Sequence, residues 1–425
     1  MPQAPQPHHA PAHALPHDVS PAVAAAVAAL DSSGARWALL RGTLADEAGD
    51  VDVLVAPGDR AAAEAALARA GFSRWPAWGR GTHGFHLAFD RPSGTWAKVD
   101  LVSDLAFGPY GELRTGATGA VLDRRRAGAG CPVLAPDDAF WALLLHTLLD
   151  REELAERHLE RLATTSGDGT AGGALRTAVA AVLPAGEADA LVRAAVARDR
   201  EALEAAGACL RDRWAAQPGV RWARLRGRVG RRLAVLPVAA GRRGVSIALL
   251  GPDGAGKSTL AASLTATPAL RARSLYAGLY GAATPRPVPV PGLRLAARLA
   301  RLWRLRARAA GWRLRGRVVV FDRHGLDAVA AAGSRGRAVT RLRRRLLAGA
   351  LPSPDVLVVL DAPAEVLRAR KGEHDLATLQ AQRDRYRALA GWPGAVLVDA
   401  TADADAVRRE VTDLVWRRWT AGWRR

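Results

Sequence analysis

The stretch VSIALLGPDGAGKSTL, residues 245–260, decides how the second half of the chain folds. An apolar run of strand type ends at Leu250, and the next eight residues fit the pattern G-x-x-x-x-G-K-[ST]. A helix-forming run follows at once. In this context the glycines let backbone N–H groups turn inward around a phosphate, and the helix N-terminus adds its dipole. The stretch therefore predicts a phosphate-binding loop between a buried strand and a helix.

The side chains of this loop indicate which group it binds. Lys257 supplies a cation that reaches the β- and γ-phosphate oxygens, and Ser258 offers its hydroxyl to Mg²⁺. We therefore predict ATP and Mg²⁺ as cofactors. The predicted cofactor-binding residues are Gly251, Asp253, Gly254, Ala255, Gly256, Lys257, Ser258 and Thr259.

Strand-type and helix-type runs alternate from residue 244 onward. That order predicts an α/β fold in which a parallel sheet lies between two layers of helices. Together with the loop, it predicts the three-layer P-loop NTPase architecture for residues 244–425. Residues 20–135 have a different pattern, a mixture of the form β-α-β-β.

Two later segments carry polar groups at strand ends. The strand VVVF is followed by Asp322, a carboxylate suited to hold a water on Mg²⁺, and by Arg323, which would point into the ligand crevice. An ordinary strand end with a surface salt bridge is the alternative. A strand ending at Asp361 is followed by clustered cations, which could neutralise charge and exclude water on closure or could form a solvated basic face. These cations are Arg368, Arg370 and Lys371.

Residues 244–425 resemble the thymidylate kinase-type nucleoside monophosphate kinases in the order and spacing of these three motifs. In that family the loop acid contacts the acceptor nucleotide, the Asp-Arg strand end binds acceptor phosphate and supports Mg²⁺, and the cationic segment is a lid over ATP. The resemblance implies that Asp322 and Ser258 serve the metal. It implies catalytic roles for Asp253, Lys257, Arg323, Arg368, Arg370 and Lys371.

The chain departs from this family where the acceptor base is read. Family members carry a Phe-x-Arg-x-Pro stretch, and LYAGLYGAATPRPVPV, residues 275–290, stands there instead. The family's Ser-x-x-Ala-Tyr-Gln run is replaced by GLDAVAAAGSRGR, residues 325–337. The resemblance therefore supports ATP binding and phosphoryl transfer better than it supports specificity for thymidylate. The group that accepts the phosphoryl could be a phosphate or a hydroxyl.

The first half of the chain contains a second carboxylate pattern. WALLRGT, residues 37–43, precedes a strand in which Asp50 and Asp52 are one residue apart and so point to the same face. Asp100, in a later strand-type run, could complete a two-metal clamp. Lys98 lies two residues before it. These three aspartates are therefore predicted metal ligands.

This pattern resembles the nucleotidyltransferase fold, a smaller α+β domain, over residues 19–135, with residues 136–210 as a helical appendage. The turn Gly42-Thr43 replaces the family's more usual Gly-Ser, and it lies nearer to Asp50 than is common. Both interpretations stay open at this point: a working nucleotidyltransferase domain, or a degenerate domain that keeps the fold and has a regulatory role.

Charge and cysteine content narrow the class of protein. The 425 residues carry a net charge of +20, but the first 200 hold 19 basic and 24 acidic residues, so all the excess lies in the second half. The two cysteines, Cys131 and Cys209, exclude a disulfide scaffold. No membrane-spanning run or secretory signal is recognisable, so a cytoplasmic protein is expected.

Three low-complexity or basic regions allow more than one interpretation. Residues 1–18 read as a disordered tail whose four histidines could bind metal: His8, His9, His13 and His17. The Arg-rich residues 211–243 are predicted as a basic linker. Residues 294–345 are also Arg-rich, and either stretch could contact an anionic membrane surface or nucleic acid, whereas the simplest interpretation for the second is a helix that buries its Leu and Trp side chains.

These features favour an ATP- and Mg²⁺-dependent kinase acting on a small-molecule acceptor such as a nucleotide. One alternative is an ATP-gated scaffold with an inactive nucleotidyltransferase-like domain. Another is a nucleic-acid-end kinase and nucleotidyltransferase, which the excess positive charge favours. Formation of a homodimer is a further expectation that the sequence leaves open.

Overall fold

The computed structural model describes residues 19–41, 44, 50–75, 80–151, 153–166, 172–233, 243–278, 291–330, 338–372 and 374–422. The chain divides into two compact units. The first contains Met1–Asp90 and Thr95–Ala234, and the second contains Arg91–Gly94 and Val235–Arg425. The tail 1–18 and the turn Gly42-Thr43 lie outside the described residues. No described helix is both long enough and apolar enough to cross a bilayer.

The first unit is built on a mixed seven-stranded sheet in the order β3-β4-β5-β2-β1-β9-β8, with a separate β6–β7 pair. Strand β2 runs parallel to β5 and antiparallel to β1. The strands β1 to β9 are Trp37–Leu39, Asp50–Val55, Ser73–Arg74, His83–Asp90, Thr95–Val102, Ala106–Phe107, Leu113–Arg114, Arg126–Ala127 and Pro132–Val133. The helices α1 to α9 are Pro21–Ser32, Arg60–Arg69, Thr118–Asp123, Pro136–Asp150, Glu156–Thr165, Ala174–Ala180, Glu187–Ala197, Arg200–Ala215 and Val220–Leu233.

Two apolar cores cover the two faces of this sheet, because successive side chains of a strand point to opposite faces. In β2, Val53 and Val55 join the core that contains α1 and α2. Leu54 joins the other core, which is formed with the helices of the appendage. Helix α4 anchors that second core with Phe140 and Trp141, both fully buried. The regions predicted as a separate domain and helical appendage thus share one unit.

The region predicted as a basic linker is helical for much of its length. Residues 211–215 complete α8, and Val220–Leu233 form α9. Helix α9 buries Val220 and Gly227, which is why it docks as a helix of the first unit despite its many arginines. Residues 234–242 lie outside the described part of the chain.

The second unit confirms the predicted parallel sheet. Its five strands lie in the order β11-β12-β10-β13-β14, and every neighbouring pair is parallel. Strands β10 to β14 are Ser246–Leu250, Arg273–Tyr276, Val319–Asp322, Val356–Asp361 and Ala395–Asp399. Helices α10 to α16 are Lys257–Ala266, Pro291–Leu314, Asp327–Ala330, Ala338–Gly349, Ala364–Lys371, Leu376–Arg387 and Ala404–Ala421.

The central strands of this sheet bring the candidate site together. All five residues of β10 are buried, as expected for a strand with helices on both faces. Strand β10 pairs with β12 on one side and β13 on the other. Because parallel strands end at the same edge of a sheet, the phosphate loop after β10 lies beside Asp322 and Arg323 after β12 and Asp361 at the end of β13.

Candidate active site

Close backbone approach explains two glycines of the loop between β10 and α10. Gly251 and Gly254 have φ angles of +148° and +86°. A Cβ atom on Gly251 would lie 2.6 Å from the carbonyl oxygen of Leu360, and one on Gly254 would lie 2.9 Å from that of Leu367. Glycine alone avoids both clashes. The loop backbone therefore lies directly against β13 and α14.

The first residue of α10, Lys257, curls back onto the loop. Its Nζ donates hydrogen bonds to the carbonyl oxygens of Gly251 at 2.8 Å and Pro252 at 2.6 Å. The residue is only 6% exposed. Burial, and secondarily the charge of Arg323, lowers the pKa of Lys257 to about 8. The side chain is thus a buried cation that already lies among the backbone groups of the loop.

For the ATP that the sequence predicts as ligand, this lowered pKa predicts how the affinity depends on pH. Below about pH 8 the ammonium of Lys257 is charged and can attract polyphosphate; above it the charge is lost. We expect the Kd for ATP to rise by up to about tenfold per pH unit above that value. Loss of the Lys257 proton should raise the free energy of unfolding between about pH 8 and pH 9, because the unfolded lysine is still protonated there; above that range the buried Cys131 thiol, whose pKa burial raises to about 11, acts in the opposite direction. Calorimetric titration with ATP from pH 7 to pH 10 checks the effect on affinity, and a Lys257→Met variant should lose it.

Ser258 and Asp322, called the metal-type pair below, join the start of α10 to the end of β12. Ser258 Oγ donates a hydrogen bond to Asp322 Oδ2 at 2.8 Å. The second oxygen, Asp322 Oδ1, is buried and has no hydrogen-bond partner among the described residues. A hydroxyl and a carboxylate with a free oxygen are the hard oxygen groups that Mg²⁺ prefers, directly or through water. The residues present therefore fit Mg²⁺ at this position.

An ion pair lies beside this metal-type pair. Arg323 Nη2 donates to Asp253 Oδ1 at 2.7 Å, and His374 Nε2 lies 3.7 Å from Asp253 Oδ2. Burial pushes the pKa of Asp253 upward, but the hydrogen bond from Arg323 and the charges of Lys257 and Lys371 outweigh it and hold this pKa below its ordinary value. Asp253 is therefore a carboxylate at neutral pH, held next to a guanidinium. The sequence predicted a role at the acceptor for both Asp253 and Arg323, but it predicted neither their ion pair nor His374.

Sequence reasoning missed a second carboxylate at this edge of the sheet. Asp327 is buried; its Oδ1 accepts a hydrogen bond from Tyr386 Oη at 2.9 Å, and its Oδ2 accepts one from the backbone N–H of His324 at 3.2 Å. Burial raises the pKa of Asp327. The signal that could have found it is its position, because Asp327 lies in the 325–337 stretch that departs from the family pattern.

Removal of the Tyr386 hydroxyl tests whether this bond holds helix α15 to the site. Tyr386→Phe leaves the buried Asp327 Oδ1 without that donor, so we expect a loss of about 1–3 kcal/mol in the free energy of unfolding. Urea unfolding of the full chain, followed by circular dichroism, measures the loss. Equal stability of the variant and the parent protein would contradict the inferred role of the hydrogen bond.

The three cations predicted as a lid take different positions in the last turn of α14. Arg370 Nη1 donates to the carbonyl oxygen of Ala400 at 2.8 Å, which directs it to the segment after β14. The charge of Lys371 contributes to the lowered pKa of Asp253. Arg368 is exposed. Of the three, Lys371 is thus the one whose charge acts on the Asp253 carboxylate.

A further arginine near the site was also missed. Arg383, on α15, makes two hydrogen bonds to Asp361, from Nε at 2.7 Å and from Nη2 at 2.9 Å. This paired contact fixes α15 to the end of β13. Together with the Tyr386 bond to Asp327, it ties the helix that follows the cationic segment to the end of β13 and to the start of α12.

The three aspartates predicted as metal ligands lie on neighbouring strands of the first unit, but each contacts a cationic or titratable side chain. Asp52 and Asp100 are opposite each other on the parallel strands β2 and β5, and Asp50 is opposite Lys98. The pairs are Arg41–Asp52 at 2.6 Å, Lys98–Asp50 at 2.8 Å and His83–Asp100 at 2.8 Å. Within the described residues no group of three or more His, Cys, Asp or Glu side chains is arranged to hold a metal ion.

Comparisons of the sequence and of the structure with known proteins find thymidylate kinases. No protein-family profile matches the chain. A thymidylate kinase of Xanthomonas oryzae pv. oryzae is 34% identical over 193 residues, which cover 40% of this chain and 83% of that protein. A thymidylate kinase of Xanthomonas euvesicatoria pv. vesicatoria is 32% identical over 190 residues, with the same coverage. The structure of a thymidylate kinase from Candida albicans matches with a TM-score of 0.33 and 18% identity, covering 42% of this chain and 93% of that one.

The two Xanthomonas relatives show which family the chain belongs to. The match extends over most of their own length, and its share of this chain is close in size to the unit that contains the phosphate loop. That unit places a phosphate-loop lysine, a Ser–Asp pair and an Asp–Arg pair at one edge of a parallel sheet. The chain therefore belongs to the thymidylate kinase family, and it is a kinase, that is, a phosphotransferase.

Proposed function

We propose that the P-loop unit binds ATP and Mg²⁺ at residues 251–259 and transfers the γ-phosphoryl group to the phosphate of a nucleotide acceptor. Its relatives are thymidylate kinases, so thymidylate is the first acceptor to test. The replaced stretches 275–290 and 325–337 are reasons to test other nucleotides beside it.

One observation carries the proposal: the metal-type pair, Ser258–Asp322, and the ion pair, Asp253–Arg323, use consecutive residues at the end of β12. Asp322 accepts the hydrogen bond of Ser258, and Arg323 donates to Asp253, which lies in the same loop as Lys257. The two pairs therefore lie on opposite ends of a single loop. A phosphoryl group bound by the loop would have the metal on one side and the acceptor on the other, as in-line transfer requires.

Each of these residues has a role that follows from its contacts. When bound, ATP supplies the phosphoryl group and Mg²⁺ neutralises its oxygens. Lys257 exchanges its hydrogen bonds to the loop carbonyls for phosphate oxygens and stabilises the charge that spreads in the transition state. Arg323 binds the acceptor phosphate, and its pairing with Asp253 fixes the direction of the guanidinium.

Asp253 does not need to act as a base in this scheme. Its pKa is held below the ordinary value, and an acceptor phosphate is already ionised at neutral pH. The carboxylate instead orients Arg323 and can accept a hydrogen bond from an acceptor hydroxyl. His374, 3.7 Å from the same carboxylate, is a further candidate for contact with the acceptor.

An acceptor panel tests the proposal. The full chain would be incubated with γ-labelled ATP and Mg²⁺ and with deoxynucleoside monophosphates, nucleoside monophosphates, sugar phosphates and an oligonucleotide bearing a 5′-hydroxyl. We expect label in a nucleoside diphosphate. Tight ATP binding with no labelled acceptor would favour the ATP-gated scaffold, and label on the oligonucleotide alone would favour the nucleic-acid-end kinase.

Removal of the Ser258 hydroxyl tests the metal position. Ser258→Ala deletes the donor to Asp322, and we expect the apparent Mg²⁺ affinity in the kinase assay to fall by about 10–100-fold. Ser263→Ala is the matched control, because Ser263 is on the same helix and bonds the carbonyl oxygen of Leu260. A metal requirement unchanged in Ser258→Ala would contradict the assignment.

For the first unit, we propose a nucleotidyltransferase-like fold in its degenerate form. The support is that Asp52 pairs with Arg41 and Asp50 with Lys98, so that two of the three carboxylates face a cation; only Asp100 has a buried oxygen without a partner among the described residues. Transfer of labelled AMP from α-labelled ATP to the chain or to a nucleic acid would overturn this proposal. So would Mn²⁺ binding, measured by electron paramagnetic resonance, that is lost in Asp52→Asn.

A further inference from the structure

Helix α9 has one face seated on the first unit. Val220 is 6% exposed, and a Cβ atom on Gly227 would lie 2.6 Å from Cβ of Tyr110, so the helix backbone lies directly against that side chain. Arg224 Nε donates to Glu112 at 3.0 Å. These contacts fix which side of the helix faces its own unit.

A second face of α9 is an exposed apolar stripe, which lines an open groove together with Tyr110, Gly111 and Arg114 of the same unit. Trp222 is 74% exposed, Leu225 49%, Val229 45% and Leu233 42%. Their spacing of three and four residues places them in one row along the helix. Exposed single apolar residues are ordinary, but a continuous row of four that includes an exposed Trp indicates a contact surface.

Arginines flank this stripe. The sequence of α9, VRWARLRGRVGRRL, carries six arginines and no acid. Two of them face the unit itself: Arg224 pairs with Glu112, and the guanidinium of Arg231 lies 4.4 Å from the centre of the Tyr110 ring. The other four are exposed beside the stripe: Arg221, Arg226, Arg228 and Arg232.

The combination of charges and apolar side chains selects the partner. A nucleic-acid backbone would neutralise the arginines but offers no cover for Leu225 and Val229. A second copy of α9 would cover the stripe but would place arginines against arginines. A bilayer with anionic headgroups suits both the arginines and the apolar stripe. The aliphatic and Trp side chains can enter the acyl boundary while the arginines remain at the headgroups.

We propose that the α9 stripe, Trp222, Leu225, Val229 and Leu233, lies on the surface of an anionic lipid bilayer with α9 parallel to the membrane plane. The site is separate from the phosphate loop and does not depend on the proposed kinase reaction. The bilayer contact would place the kinase at a membrane surface without a spanning segment among the described helices.

Vesicle flotation of the full chain tests this proposal. Vesicles of phosphatidylcholine alone would be compared with vesicles that also contain phosphatidylglycerol. We expect binding only to the anionic vesicles, and we expect this binding to weaken as salt is raised.

Two sets of variants separate the apolar contribution from the charge contribution. Leu225→Gln with Val229→Gln should abolish binding. Replacement of Arg221, Arg228 and Arg232 by Gln should lower the partition coefficient by about fivefold per arginine. Val196→Gln, an exposed aliphatic side chain on α7 that is 54% exposed, is the matched control.

Hydroxyl-radical footprinting localises the contact. Trp222 should be oxidised in the lipid-free chain and protected by anionic vesicles. Protection without lipid would overturn the proposal, because another part of the chain or a second copy would then cover the stripe. Absence of vesicle binding overturns it, as does binding retained in the Gln variants, which would place the contact elsewhere, for example on the exposed Trp303 of α11. Binding of a duplex oligonucleotide that the same variants abolish, without vesicle binding, would assign the face to nucleic acid.

Discussion

Replacing Lys257 by methionine is expected to lower kcat for phosphoryl transfer by about 10²–10³-fold, the usual effect of removing one group that stabilises charge in a transition state. The ammonium is 6% exposed and lies within hydrogen-bond distance of two loop carbonyls. In that low-dielectric position its charge is little screened by water. The labelled-ATP assay with the acceptor identified in the panel measures the change.

The same variant should remain folded. Burial lowers the pKa of Lys257 to about 8, which means that burial disfavours the charged form. A methionine of similar length has no charge to bury, so the free energy of unfolding should be equal to that of the parent protein or higher. Arg193→Met, which removes an exposed charge on α7, is the control for charge loss alone.

Unchanged turnover in Lys257→Met would overturn the assignment of the active site. If the variant instead failed to fold, Lys257→Arg would replace it, because this change keeps the charge but introduces a planar group too wide for a tight phosphate site. A folded, inactive Lys257→Arg variant would support the role inferred for the compact ammonium.

The sequence was sufficient for the parts of the site that depend on local spacing. The loop, its flanking strand and helix, and the Asp322-Arg323 strand end are each contained in fewer than twenty consecutive residues. Their patterns therefore predict both the local structure and, through the parallel order of the strands, their meeting at one sheet edge. The geometry at Ser258 and Asp322, 64 residues apart, follows from that order.

Pairings between distant side chains could not be predicted in the same way. Tyr386 bonds Asp327, 59 residues away, and Arg383 bonds Asp361, 22 residues away. Many arginines of this chain could have paired with Asp361, and spacing does not select among them. Only the packing of α15 against the end of β13 and the start of α12 brings these particular groups together.

In the first unit, too, the sequence identified the acidic residues but not the side chains that pair with them. The spacing of Asp50 and Asp52 predicts that both point to one face, and the register of β2 and β5 places Asp52 beside Asp100. Spacing does not reveal that Arg41 follows β1 and bonds Asp52, or that Lys98 stands opposite Asp50. The carboxylates were identified, but the cations that pair with Asp50 and Asp52 were not.

Arg323→Ala is expected to lower kcat/KM for the acceptor by about 10²–10³-fold while leaving the Kd for ATP within about twofold of the parent value. The guanidinium lies on the acceptor side of the loop and pairs with Asp253 at 2.7 Å, so its loss removes acceptor binding without removing Lys257. Steady-state kinetics with acceptor varied, together with calorimetric titration of ATP, separates the two effects. Equal losses towards ATP and acceptor would contradict the proposed division of the site.

Arg383→Ala is the matched control for this change. Arg383 also pairs with an aspartate, Asp361, at the end of a neighbouring strand, but its contact fixes α15. We expect Arg383→Ala to reduce the free energy of unfolding and to change kcat/KM for the acceptor much less than Arg323→Ala does. A double variant, Asp253→Asn with Arg323→Ala, should lose less activity than the product of the two single losses, because residues that act as one unit are not additive.

The backbone at Arg323 gives this prediction a second, independent readout. Its φ of +68° lies in the left-handed region, which costs a residue with a Cβ atom about 1–2 kcal/mol. Arg323→Ala and Arg323→Gly both lack the guanidinium, but only glycine relieves the strain, so the glycine variant should be more stable by about 1 kcal/mol. Both should be inactive. Strained φ angles are often found at functional sites, so loss of acceptor turnover in both variants would support the role proposed for the guanidinium. Recovery of acceptor turnover in Arg323→Gly would show that the turn, and not the guanidinium, is what the site needs.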